Sequence, residues 1–175
     1  IQLAIIGMVP VVLNNTGSTS VTLFGNNTQA WNADFTFAGS NDLNMGTGAV
    51  SMSASRTVTT NGTANLTVGG AISGAGNNLT KAGSGTLTLG GADTYTGTTT
   101  IDEGALVVTG AINSANTANV GDVFVGTGSA NGSLTVAGGT VNATNTSAPS
   151  LAVANSFGVN GFLNLTSGAI NTTSE

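Results

Sequence analysis

The chain has 175 residues with 27 glycines, two basic and seven acidic side chains, no histidine, no cysteine, a net charge of −5 and 39% hydrophobic residues. That inventory excludes imidazole catalysis and ligation, thiolate chemistry, disulfides and cysteine-bound metal, and the clustered lysine and arginine of a nucleic-acid footprint are absent. Glycine, asparagine, serine and threonine make up about half the residues, yet the apolar content is too high and the charge too low for a disordered polyelectrolyte.

Residues 1–13, IQLAIIGMVPVVL, form the longest apolar run. It is shorter than the roughly 20 residues needed to span a bilayer, Pro10 interrupts it, and no charged leader or small-residue cleavage site flanks it. It reads as a buried first strand or cap leading into the rest of the fold, with addition to a neighbouring subunit's open sheet edge as the sharper alternative. The chain starts without methionine and is taken as a mature or excised piece, its targeting signals lying outside these residues.

Beyond it, short segments alternate apolar and polar residues: Val21–Leu23, Phe35–Phe37, Val50–Met52, Leu66–Val68, Leu87–Leu89, Leu134–Val136 and Leu163–Leu165. A period of two predicts strands. Threonine on the alternate positions suits a pleated surface, and no stretch carries an apolar stripe of helical period. The prediction is an all-β chain.

A repeat decides the architecture. Asn131-Gly132, Leu134, Val136, Gly139, Val141 and Asn142 return 29 positions later as Asn160-Gly161, Leu163, Leu165, Gly168, Ile170 and Asn171. Upstream, Val123–Val125 and Leu151–Val153 recur at a spacing of 28. Gly85–Gly91 and Ala64–Gly70 are looser copies of the same strand with its glycine exit. Helix-free repeats of this length fit a parallel β-solenoid. Leu134 is expected to stack on Leu163 and Val136 on Leu165 as buried ladders, with asparagines forming amide ladders at the turns. At about 4.8 Å per layer, six to eight coils would make a rod roughly 30–40 Å long. Residues 1–27 would be the first strand or cap, and 28–175 the solenoid proper.

Residues 78–108 read NLTKAGSGTLTLGGADTYTGTTTIDEGALVV. Leu79, Lys81, Gly83, Gly85-Thr-Leu87, Leu89, Gly91, Tyr95-Thr-Gly97, Thr99, Ile101, Gly104, Leu106 and Val108 resemble the autotransporter-associated β-strand repeat of bacterial type V secretion passengers and related surface proteins. The segments 28–39, 43–50 and 66–77 resemble the lead-in segments of such proteins. The resemblance implies a right-handed parallel β-helix, exported and displayed on or released from a bacterial surface, with no catalytic residues. The chain departs from the full family pattern in lacking the amphipathic ten-residue strands with aromatic girdles that mark a translocator barrel, which leaves the export route open.

Asp102-Glu103, with Asp93 on the preceding turn and Asp122 further on, are the acids that a calcium site or a lyase or hydrolase would use; solvated turn charges are the plainer expectation. Arg56 and Lys81 are the available bases, and Lys81 is expected at an exposed edge, where lysine discourages further pairing. Trp31 and Tyr95 could stack on a sugar, although Tyr95 matches the family's own tyrosine and is expected to pack at a corner. Ten N-x-S/T matches, at Asn14, Asn26, Asn61, Asn65, Asn78, Asn131, Asn142, Asn145, Asn164 and Asn171, are what chance gives in so Asn- and Thr-rich a chain. Gly46-Thr-Gly48 and Gly83-Ser-Gly85 are turn punctuation. The resulting expectation is a non-enzymatic structural or adhesive rod without catalytic residue, cofactor or metal. Its partners would be neighbouring repeats, copies of itself, or surface carbohydrate and other cell-surface ligands. Nucleic acid and a transmembrane segment are not expected. A self-assembling filament or sheath subunit is the alternative, and a carbohydrate-active enzyme a third class.

Overall fold

The computed structural model describes residues 3–5, 11–114, 122–128, 130–144, 150–153 and 158–172. Among them there is no helix, and the strands wind into seven coils of a parallel β-solenoid. Coil one holds β1 (Leu3–Ile5), β2 (Val11–Leu13) and β3 (Val21–Thr22). Coil two holds β4 (Gln29–Trp31), β5 (Phe35–Phe37) and β6 (Leu43–Asn44), and coil three β7 (Val50–Met52), β8 (Arg56–Thr60) and β9 (Asn65–Val68). Coil four holds β10 (Ile72–Ser73), β11 (Leu79–Ala82) and β12 (Thr86–Leu89); coil five has only β13 (Thr99–Ile101) and β14 (Gly104–Val108). Coil six runs through β15 (Ala111–Ser114), β16 (Val123–Val125) and β17 (Gly132–Ala143), and coil seven through β18 (Leu151–Val153) and β19 (Gly161–Thr172).

Each strand pairs in parallel with its counterpart one coil away, giving three sheets; β17 is long enough to run from coil six into coil seven, so that its second half, Thr140–Ala143, pairs with β15. The first is β1-β4-β7-β10, the second runs from β2 through β5, β8, β11, β13 and β16 to β18, and the third starts at β3 and passes β6, β9, β12 and β14 to β17, which also carries β15 and β19. The apolar run at the start of the chain is therefore not one strand. It divides between β1, which joins the first sheet, and β2, which joins the second; residues 1–2 and 6–10, Pro10 included, lie outside the described residues.

Alternation along each strand becomes stacking along the axis. In the third sheet Val21, Leu43, Leu66, Leu87, Leu106, Leu134 and Leu163 fall in one register column. Val68, Leu89, Val108, Val136 and Leu165 form the next. Leu66, Leu87, Leu106 and Leu134 are fully buried, each worth about 1.5–3 kcal/mol of apolar burial. The expected pairs Leu134–Leu163 and Val136–Leu165 are present in register. Leu163 and Leu165, however, are 42% and 52% exposed, because β19 is the outermost strand described and stacks on β17 alone. The coils are uneven in length: Thr86 pairs with Ala105, 19 residues on, and Gly132 with Gly161, 29 residues on.

An amide ladder is present, but on strands β15, β17 and β19 and not at the turns where it was expected. Asn142 Nδ2 donates to Asn113 Oδ1 at 2.7 Å, and Asn171 Nδ2 donates to Asn142 Oδ1 at 2.7 Å. Gly104 shows why glycine holds the corners: its φ is +68°, and a Cβ there would lie 2.4 Å from the Gly83 carbonyl oxygen of the coil below. Only glycine meets both demands.

Candidate functional site

The chemistry-bearing side chains gather on coils four to six, and the fold turns most of them inward. Along β11, Leu79 and Lys81 share the buried face while Thr80 and Ala82 point out. Lys81 thus occupies the interior column between Val58 and Ile101 and is 1% exposed. The expectation of an exposed, edge-guarding lysine is overturned. Its Nζ donates to the carbonyls of Ala82 at 2.8 Å, Gly83 at 2.6 Å and Glu103 at 3.1 Å. All three protons of the ammonium have an acceptor, which is how a buried lysine is tolerated. Burial lowers its pKa to about 8, and the Glu103 charge opposes that shift.

Asp93 and Asp122 are both fully buried, so neither is a solvated turn charge. Asp93 Oδ1 accepts the Ile72 amide at 2.8 Å, while its Oδ2 has no hydrogen-bond partner. Burial raises the Asp93 pKa to about 7, and the Ile72 N–H opposes the rise. Tyr95, two residues on, is fully buried and shares a 2.7 Å hydrogen bond with Thr99 Oγ1. Its phenol is pushed well above the usual range by burial and by the Asp93 charge, and the Thr99 bond counteracts this. Corner packing is what the family tyrosine predicted.

The acid pair Asp102-Glu103 lies at the turn between β13 and β14, half-buried. Asp102 Oδ1 accepts the Thr127 hydroxyl, and Lys81 reaches the backbone carbonyl of Glu103. Among the described residues no group of three or more acids could hold a metal ion. Arg56 is spent two coils below, its Nε donating to the Trp31 carbonyl at 2.8 Å and its Nη2 to Ser53 Oγ at 2.7 Å. A 3.9 Å contact with the largely exposed Asp34 adds little. Trp31 itself is fully buried, edge-on to Phe35 with ring centroids 5.0 Å apart. Neither Trp31 nor Tyr95 offers a ring face to a sugar.

Lys81 Nζ is enclosed by three carbonyls, and half-buried Arg56 donates to the Trp31 and Ser55 carbonyls, so the geometry gives this corner a packed interior around the lysine. The sequence held a signal for this. Parity with Leu79 puts Lys81 on the inward face of β11, and parity with Tyr95 puts Asp93 on the same side as the tyrosine. What two-residue parity lacks is the carbonyl cage that makes an inward lysine tolerable.

The outward faces are short and polar. In the third sheet Thr22, Asn44, Thr67, Thr88, Val107, Thr135 and Asn164 make one rank. Of the N-x-S/T asparagines, Asn78 Oδ1 accepts the Thr98 amide and Asn142 belongs to the ladder, so both side chains serve the fold.

No curated protein and no solved structure matches the chain. Residues 79–108, which are β11 through β14 with their turns, match the family model described as passenger-associated-transport-repeat. Over that segment the chain is similar to the repeats of autotransporter passengers, as Leu79, Lys81, Tyr95 and the glycines between them foretold.

Proposed function

We infer that the chain is a non-enzymatic length of passenger-type rod, secreted by a bacterium and displayed on or released from its surface, where it spaces or presents adhesive parts. The carrying observation is the disposal of reactive groups. Lys81, Asp93, Tyr95 and Trp31 are all turned into the packed interior, while the faces left to solvent are ranks of threonine, asparagine and serine with few charges. The passenger-associated repeat at 79–108 supports the same reading. Such a surface suits weak, repeated contacts with carbohydrate or other cell-surface ligands.

The test uses the Asn61-Gly62 turn, which is exposed and where Gly62 has nothing within 4 Å of a would-be Cβ. An epitope inserted there in the native gene should be labelled on intact bacteria or recovered from the medium. Labelling that appears only after the cells are broken overturns the surface reading. Incubation of the purified protein with neutral and acidic polysaccharides should leave them uncut; cleavage that disappears in Asp102→Asn would overturn the non-enzymatic one.

A second reading is a self-assembling filament subunit, joined through the solenoid ends or the Ile1–Leu13 segment. The large apolar side chains left exposed among the described residues, Val12, Val21, Leu23, Phe24, Val153, Phe162, Leu163 and Leu165, all belong to the first or the last coil described. Charges, proline and bulges that normally guard sheet edges are missing from β2, β3 and β18. Light scattering and negative-stain microscopy separate the two: fibres built of end-to-end rods support assembly, and discrete rods of monomer mass support the spacer.

A further inference from the structure

Asp93 sits at a gap in the first sheet. Coil five has no strand in the first sheet, and the coil is among the shortest, 19 residues from Ala92 to its bridge partner Ala111. Asp93 and Thr94 fill the missing place. The Asp93 carboxyl Oδ1 accepts the Ile72 amide from coil four, a bond that a strand carbonyl would otherwise make. Its own amide donates to the Ala111 carbonyl of coil six at 2.8 Å, and its carbonyl accepts from Asn113 Nδ2 at 2.8 Å. Thr94 N–H returns to the Ile72 carbonyl at 2.8 Å. The side chain therefore ties Asp93 to coil four while its main chain ties it to coil six, where its carbonyl anchors the asparagine ladder Asn113–Asn142–Asn171.

The other carboxyl oxygen is enclosed and unpartnered. The flanking strands, β10 with Ile72 and Ser73 and β15 with Ala111, Ile112, Asn113 and Ser114, bring no charged or titratable side chain. From its own turn Tyr95 is the titratable neighbour, neutral at any ordinary pH, its hydroxyl engaged by Thr99. A carboxylate with an empty oxygen and no counter-charge in such a place is costly, whereas the neutral acid is tolerated.

We propose that Asp93 is a proton-operated joint in the solenoid: protonated, it closes the first sheet across coil five, and ionised, it loosens the union of coils four, five and six. The proposal goes beyond the rod reading and stands whether or not the protein is displayed on a cell. The sign follows from linkage. The folded pKa of about 7 lies above the ordinary value of 3.8, so between those limits the folded state holds a proton that the unfolded state has released. Stability from this group is complete below about pH 4, falls as pH rises toward 7, and is lost above it.

Three measurements on the whole chain test it. Carboxyl 13C NMR should show one aspartate titrating near pH 7, and that resonance should vanish in Asp93→Asn. Urea unfolding between pH 4 and 9 should show the wild type losing up to about tenfold in its folding equilibrium per pH unit from 4 to 7 relative to Asp93→Asn, whose amide keeps the oxygen acceptor without the charge. The Ile72 amide should exchange faster in the wild type than in Asp93→Asn at pH 8, and equally at pH 5. An Asp93 carboxyl that titrates in the usual carboxylate range, or wild-type and Asp93→Asn curves that run parallel, overturns the proposal. If Asp93→Asn does not fold, the wild-type titration alone decides it.

Discussion

Lys81 and Asp93 are mirror cases of one physical problem, a charge taken out of water inside a stack of apolar coils. Lys81 solves it with three carbonyl acceptors, and Asp93 by holding its proton. Their pH effects therefore have opposite sign. The Lys81 pKa falls from 10.5 to about 8 on folding, so between those values the unfolded state binds the extra proton and stability rises with pH. Above pH 10 Tyr95 works the other way, since its raised pKa makes ionisation easier in the unfolded chain. The clean window is pH 8 to 10. In urea titrations across that window the wild type should gain stability relative to Lys81→Met; equal slopes would mean that Lys81 keeps an ordinary pKa. At pH 7 Lys81→Met should be less stable by about 1–3 kcal/mol, because it strands buried carbonyls. Both were expected in solvent on the strength of residue type, although Lys81 shares the parity of buried Leu79 and Asp93 that of buried Tyr95. Pattern outweighed type because an exception to burial needs only local acceptors, and those are backbone groups of the adjacent turns that the sequence does not display.

At the scale of the element, the strands were legible wherever apolar and polar residues alternate. Six of the seven alternating segments lie wholly on strands and the seventh, Val21–Leu23, overlaps β3, while the 29-residue repeat set the pairing of β17 with β19 except at the irregularity around Ala137. The first sheet was legible only in part. Val50–Met52 in coil three alternates, but β10 in coil four is two residues long and in coil five a side chain takes the strand's place; neither of these leaves a periodic trace. The asparagine ladder offers a test at this scale. Among the described residues Asn142 bonds both neighbours, whereas Asn171 contributes its amide to one bond, with Asn142. Asn142→Ala should cost about 1–2 kcal/mol and Asn171→Ala roughly half as much. Thermal or urea unfolding of the two variants checks the ratio, and equal losses would show that the ladder does not act as a chain of bonds.

The whole molecule is a stack in which sequence-distant residues meet only across one coil. Its stability is accordingly a sum of coil interfaces, and the described residues make seven layers, about 30 Å along the axis at 4.8 Å per layer. The rod and the passenger-type repeat were both readable from residues 78–171, because a coil repeats the same inward and outward choices as the one below it. The outward faces were readable in composition but not in purpose, since threonine and asparagine serve turn, ladder and surface alike. The parallel coil-on-coil register underlies the rod, the carbonyl cage of Lys81 and the joint at Asp93. The chain has no cysteine, so paired substitutions test that register without interference. Thr67 and Thr88 are opposite partners on the outward face of adjacent coils, and Val107 is the partner of Thr88 one coil further. Under mild oxidation Thr67→Cys with Thr88→Cys should form an intramolecular disulfide, since neighbouring strands bring Cα atoms within the roughly 4.4–6.8 Å that the bond requires. Thr67→Cys with Val107→Cys, two layers apart, should stay reduced. Cross-linking of the second pair and not the first would contradict the solenoid.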